Sequence, residues 1–166
     1  LFLDRALEAP AWRSLREELI GERELAGLTV GIYGRGRIGS QVARAMTALE
    51  ARVVYHDLRE IAEADRLGAR PVTRTELLAG SDILSVHVDG RPENRGLLNA
   101  AAFAALRTDV VFINTSRGLV VDNFALADFM IANEGARAVI DVHDPEPFGA
   151  DYPLLELENM HLTPHI

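Results

Sequence analysis

Short apolar runs alternate with polar or amphipathic stretches along the whole chain. Leu28, Val30 and Ile32 form the first run, read as a buried strand. Further strands are expected at residues 51–56, 70–72, 82–87, 110–113, 137–142 and 160–163. Between them the period lengthens to that of a helix. Ile38, Val42, Ala45, Met46 and Leu49 share one helical face after the first strand. A polar helix is expected over residues 59–67, stopped by Gly68, and a turn of helix over 75–78. Asn99 can cap an alanine-rich helix running through Leu106. Asp122 can cap another, whose Leu126, Phe129 and Met130 face inward. Residues 1–27 are charged and helix-prone, interrupted by Pro10, with Trp12 just after it. Leu15, Leu19 and Ile20 make a modest stripe there. A lead-in helix lying on the domain and a dimerisation arm are both open readings.

Strands alternating with helices define βαβ units and a parallel sheet with right-handed crossovers. The first strand runs into Gly34-Arg-Gly36-Arg-Ile-Gly39, and a helix follows at once. In that context each glycine has a purpose. Gly34 allows the tight turn, Gly36 lets a pyrophosphate approach the backbone, and Gly39 lets helix and strand pack closely. The helix N-terminus supplies free N–H groups for the phosphates. The second strand ends at Asp57, 18 residues after Gly39, where an acid can take ribose hydroxyls. The expected fold is therefore α/β: a Rossmann doubly wound parallel sheet of about seven strands, with helices on both faces. Residues 28–166 would form this dinucleotide-binding domain.

Composition narrows the function. The chain has 166 residues, a size for one domain, and a net charge of −8 that disfavours nucleic acid. No apolar run approaches the ~20 residues of a membrane span. There is no visible signal peptide, and the cytoplasm fits. The absence of cysteine excludes disulfides, a thiolate zinc site and a cysteine nucleophile. No metal site is expected. All 17 basic residues are arginine, which excludes a lysine Schiff base. The chain starts at Leu1 and stops at Ile166 without an evident cap, so both ends read as cut from something longer.

In an open parallel sheet, ligands sit beyond the carboxyl ends of the strands. The residues after each predicted strand therefore share one edge. They are the glycine loop, Asp57, His87-Val88, Thr115-Ser116-Arg117, Asp141 with Glu146, and His165. A cation, a carboxylate and an imidazole beside a nicotinamide suit alcohol–ketone redox chemistry. Arg117 can hold a carboxylate or polarise a carbonyl. His165 can move a hydroxyl proton, and Glu146 can orient it. His87 reads as a packed loop residue.

Four segments carry a resemblance: residues 24–39, Asn114-Thr-Ser-Arg-Gly118, Asp141-Val-His-Asp-Pro-Glu-Pro147 and Leu162-Thr-Pro-His165. Together they resemble the D-isomer-specific 2-hydroxyacid dehydrogenases. The resemblance implies Arg117, Glu146 and His165 as catalytic residues. It places Arg37 and Ile38 beside the pyrophosphate and Asp57 on the adenosine ribose. Val88, Thr115 and Ser116 would line the cofactor, and Asp141 would face the carboxamide. It also implies NAD as cofactor, with NADP disfavoured by the charge of Asp57 and only softened by Arg59. A small 2-hydroxy or 2-oxo acid would be the substrate, and a homodimer the assembly.

Four positions depart from that family's habit. Glu50 and Asp109 stand where glycine is usual, Asn94 where threonine is common, and Leu119 where a second glycine is expected. No counterpart of the family's second, substrate-closing domain is expected within these residues, so they should bind cofactor without turning over alone. A corepressor-like protein that senses NADH on the same fold is the rival expectation.

Overall fold

A computed structural model describes residues 8–19 and 24–166. Helix α1 covers Ala9–Leu19. Pro10 lies in its first turn, where a missing N–H costs nothing. The proline therefore opens this helix rather than interrupting it. Ile20, the end of the predicted stripe, lies outside the described residues.

The strands are β1 (Thr29–Tyr33), β2 (Arg52–His56), β3 (Arg70–Pro71), β4 (Ile83–Val86), β5 (Val111–Asn114), β6 (Arg137–Ile140) and β7 (Met160–Leu162). They form one seven-stranded sheet in the order β3-β2-β1-β4-β5-β6-β7, with every pair parallel. The order reverses between β1 and β4, the switch point at which such sheets bind dinucleotides.

Four helices connect the strands: α2 (Arg37–Ala48), α3 (Arg74–Gly80), α4 (Ala100–Ala104) and α5 (Asn123–Ala132). Their caps follow the chemistry of the residues. Thr73 and Glu76 form a reciprocal capping box at α3. The Asn99 side chain accepts from the Ala102 amide, and that of Asp122 from the Phe124 and Ala125 amides. Helix α4 ends at Ala104, short of the expected Leu106.

Alternation along the strands splits the core in two. Leu84, Val86, Phe112, Ala138 and Ile140 face the larger cluster with Leu77, Phe103, Leu126 and Met130 from α3, α4 and α5. Val30, Ile32, Val53 and Tyr55 face the smaller cluster with Ala43 of α2. Helices thus flank both faces, unevenly. On the α2 side, Ile83, Val111, Ile113 and Val139 remain only partly buried.

Two helical expectations fail. The inward face of α2 is Gly39 and Ala43, with Val42 and Met46 packed beside them. Ile38 and Leu49 are 66% and 54% exposed, and Ala45 is exposed too. Small residues win because the helix lies so close to β1: a Cβ on Gly39 would fall 2.2 Å from the Gly34 carbonyl oxygen. Residues 59–67 do not form a helix; only a 3₁₀ turn at Glu63–Asp65 appears. This segment has no apolar stripe, and its polar groups are used elsewhere. The Asp57 carboxylate accepts from the Arg59 amide, while the Asp65 and Arg66 carbonyls accept from the Arg35 guanidinium. Gly68 still closes the segment, at φ +84°.

Candidate functional site

The parallel register delivers the predicted residues to one edge of the sheet. Hydrogen bonds continue the ladder into the loops: the Gly34 amide donates to the His56 carbonyl, His87 to Tyr33, Asp141 to Asn114 and Thr163 to Ile140. Gly34 takes φ +89°, and a Cβ there would lie 2.9 Å from the Val88 nitrogen. The glycine turn and the loop after β4 therefore touch, and no larger residue fits between them.

Gly36 is different. Its backbone is extended, at φ −75° and ψ −157°, and caps α2. A Cβ built on it meets nothing within 4 Å. The protein's own packing does not require this glycine, but a group lying on the backbone would. Exposed Arg37 and Ile38 begin the helix beside it. The space over Gly36 and the amides at the start of α2 fit a pyrophosphate.

Asp57 stands at the tip of β2. One carboxylate oxygen accepts from the Arg35 amide at 2.6 Å, and the other from the Arg59 amide at 2.8 Å. Burial alone would raise its pKa. The hydrogen bonds from Arg59 and Arg35 outweigh burial and hold Asp57 below the usual carboxylate value. An ionised acceptor at this place fits ribose hydroxyls. The guanidinium of Arg59 lies 3.4 Å from the same carboxylate and also donates to the Arg35 carbonyl.

Arg35 escaped the sequence reading. It is 1% exposed, lies 4.6 Å over the Tyr55 ring and donates to the Asp65 carbonyl at 2.8 Å. Among the described residues its Nε and Nη1 have no hydrogen-bond partner. A charge in the first variable slot of the glycine loop was the available signal.

On the other side of the switch point, Asn114 ends β5 fully buried and shapes the next turn. Its side-chain oxygen accepts from the Ser116 amide and hydroxyl, and its amide donates to the Arg117 carbonyl. Ser116 is buried, whereas Thr115 and Arg117 are exposed. The stem of Arg117 crosses Gly90, where a Cβ would sit 2.8 Å from Arg117 Cγ. Gly118 packs against the His143 backbone, its absent Cβ lying 2.0 Å from the His143 carbonyl. This close approach draws Arg117 toward the loop after β6.

That loop carries the acid and meets the base. Glu146 Oε1 accepts from the His143 amide at 2.5 Å, and Oε2 lies 3.0 Å from His165 Nδ1. The His143 amide first, and then His165, hold Glu146 below its ordinary pKa. His165 adopts a left-handed backbone at φ +59°, sparsely populated for a side-chain-bearing residue. Asp141 steadies the same segment: Oδ1 accepts from the Thr163 hydroxyl at 2.5 Å and the Ile166 amide at 3.1 Å. These bonds lower the pKa of Asp141. His87 is partly buried, bonded to the Ser85 hydroxyl at 2.9 Å, and pushed down in pKa by burial. Glu146 and His165 are thus in contact, and Arg117 reaches the edge one residue from the Gly118–His143 contact. No direct bond joins Arg117 to either.

A glycine loop at one side of the switch point and a carboxylate–imidazole contact at the other fit a dinucleotide-binding domain of the doubly wound class. Residues 2–166 match the family model for the D-isomer specific 2-hydroxyacid dehydrogenase, NAD binding domain. The chain belongs to that family, as its NAD binding domain. It is 38% identical over 164 residues to a D-3-phosphoglycerate dehydrogenase of Archaeoglobus fulgidus, covering 98% of this chain and 31% of that one. It is 37% identical over 143 residues to a glyoxylate reductase of Aeropyrum pernix, covering 86% of this chain and 43% of the other. Among solved structures, D-lactate dehydrogenase of Aquifex aeolicus, complexed with NAD and lactic acid, superposes with a TM-score of 0.79 at 29% identity. That match covers 95% of this chain and 54% of the other. The chain therefore spans about a third to a half of the length of these relatives. Among the described residues, no helix is long and apolar enough to cross a membrane.

Proposed function

We propose that this chain is the cofactor-binding half of an NAD-dependent D-2-hydroxyacid dehydrogenase acting on a small 2-hydroxy or 2-oxo acid. The contact between Glu146 and His165, on the sheet edge that carries the glycine loop, supports this reading best. Bound NAD supplies the chemistry of hydride transfer to and from the substrate carbon. The protein's part is to bind, orient and move a proton. Gly36, Arg37 and Ile38 lie beside the pyrophosphate, while Gly34 and Gly39 shape the loop that brings it there. Asp57 takes the adenosine ribose. Val88, Thr115 and Ser116 line the cofactor, and Asp141 faces its carboxamide.

His165 takes the substrate's hydroxyl proton in oxidation and returns it in reduction. Glu146 accepts from Nδ1–H, which leaves Nε2 as the nitrogen free to receive that proton. Arg117 holds the substrate carboxylate, a task suited to its fork of donors. A second domain would complete the substrate pocket and exclude water, so the chain by itself binds cofactor without turnover. The ionised Asp57 repels a 2′-phosphate and so favours NAD over NADP; Arg59 is engaged with Asp57. Residues 28–166 form the cofactor domain, residues 1–27 serve as a lead-in or dimerisation arm, the assembly is a homodimer, and the location is cytoplasmic.

A turnover screen against 2-oxo acids, made on this chain joined to a substrate domain, tests the activity. NADH oxidation with at least one of them is the expected result. Cofactor binding with no turnover on any of them would favour an NADH-sensing protein instead. Asp57→Ser should narrow the ratio of NAD to NADP affinity in a fluorescence titration, and an unchanged ratio would remove Asp57 from the ribose site.

A further inference from the structure

His143 occupies a crossing point that the proposed chemistry leaves unexplained. It follows Asp141 and Val142 on the loop after β6 and is 7% exposed. Its ring sits in an aromatic box, 4.7 Å from Phe148 and 5.5 Å from Tyr152, centroid to centroid. Phe148 and Tyr152 stack on each other. An apolar side chain would fill such a box. The imidazole instead makes a hydrogen bond at each nitrogen.

Those two bonds define its protonation. Nε2 lies 2.9 Å from the Thr163 carbonyl oxygen, which can only accept, so Nε2 carries a proton. Nδ1 lies 3.2 Å from the Tyr152 hydroxyl. Burial first, then Asp144 and Glu146, push the Tyr152 phenol up to about 12. The Tyr152 hydroxyl can donate to Nδ1, and with Nε2–H given to the Thr163 carbonyl the two contacts then suit a neutral ring. The charged and titratable groups around His143 are Asp141, Asp144, Glu146, Tyr152 and His165.

Both ends of the Glu146–His165 pair pass through this one residue. The His143 main-chain amide holds Glu146 Oε1. The His143 ring holds the carbonyl of Thr163, two residues before His165. Asp141 grips the same segment from its other side, through the Thr163 hydroxyl and the Ile166 amide. His165 needs such support, because its left-handed backbone persists only when neighbours over-determine it.

We propose that His143 is a positioning residue: its neutral, Nε2-protonated ring ties Tyr152 to Thr163 and thereby holds His165 against Glu146 in the Nδ1–H tautomer. The proposal rests on the reading of Glu146 and His165 as the acid–base pair. A ring nitrogen held at a carboxylate is the protonated one, and the other is then left to accept. Loss of the Thr163 anchor would let His165 leave Glu146 and take either tautomer.

Long-range ¹H–¹⁵N correlation spectra of the 166-residue chain at about pH 8, where an ordinary imidazole is neutral, read both tautomers directly. In the wild type, His143 should be Nε2–H and His165 Nδ1–H. His143→Phe keeps the aromatic box but loses both hydrogen bonds, and should turn His165 into a mixture of tautomers. His143→Gln can still donate to Thr163 and should preserve Nδ1–H on His165. Retention of the wild-type His165 tautomer in His143→Phe would overturn the proposal. If that variant does not fold, an Nδ1–H or charged His143 in the wild type overturns it equally. Glu146→Ala separates the two levels. If it leaves the His165 tautomer unchanged, the pairing itself is absent. If it releases the tautomer while His143→Phe does not, the role of His143 alone is excluded.

Discussion

Glu146 Oε2 lies 3.0 Å from His165 Nδ1, although 19 residues of chain separate them. Parallel addition of β7 beside β6 closes that distance, because it sets the two strand ends next to each other. In a protein that joins this chain to its substrate domain, His165→Ala should cut kcat by about 10²–10⁴ fold, the usual scale of general acid–base assistance, and Arg117→Ala should cut kcat/KM by orders of magnitude. Steady-state kinetics check this. A loss below about tenfold would not fit the roles given to these residues.

Asp57 links stability to pH. Its native pKa lies below the ordinary value, so the unfolded chain binds its proton more readily. The stabilisation it contributes is whole above about pH 4 and is lost as pH falls through the lowered native value. Urea unfolding followed from pH 7 downward should show a decline in this acid range, shallower in Asp57→Asn. Equal slopes in the two proteins would mean that the Arg35 and Arg59 amides do not bind the carboxylate preferentially when ionised.

Glu50 departs from the family's glycine, and the backbone explains what that departure costs. It takes φ +63° immediately after α2. The Glu50 amide donates to Thr47 and the Ala51 amide to Met46, the hydrogen bonds of a Schellman turn. A left-handed conformation costs a side-chain-bearing residue about 1–2 kcal/mol. Part of that is offset by the greater freedom glycine has when unfolded. Glu50→Gly should therefore stabilise the chain by roughly 0.5–1 kcal/mol in denaturant unfolding. Destabilisation would mean that the Glu50 side chain has a compensating contact.

The strand–helix rhythm made the architecture legible in the sequence, because alternation and capping are local signals. Seven strands and the caps at Asn99 and Asp122 follow from it. The candidate site was legible for a related reason: its residues lie on the loops that follow strands, and a parallel sheet places all such loops at one edge. What stayed hidden depends on distant partners. Arg35 reaches carbonyls 30 and 31 residues away, in the segment where a helix over residues 59–67 is expected and only a 3₁₀ turn forms. His143 bonds to Thr163, 20 residues on. The inward face of α2 is not legible from hydrophobicity, because close approach to β1 selects glycine and alanine there.

The cofactor cradle offers the most direct test of the account. A Cβ on Gly36 would meet nothing within 4 Å, and its extended backbone is open to other residues. Folding should therefore not register Gly36→Ala, while a pyrophosphate lying on that backbone would. NADH fluorescence titrations of the 166-residue chain and of Gly36→Ala, paired with denaturant unfolding, make the comparison. The wild type should bind saturably. The variant's affinity should fall at least about tenfold, or about 1.4 kcal/mol, with stability within about 0.5 kcal/mol of wild type. No binding by the wild type, or equal binding by both proteins, would contradict a cofactor cradle at Gly36.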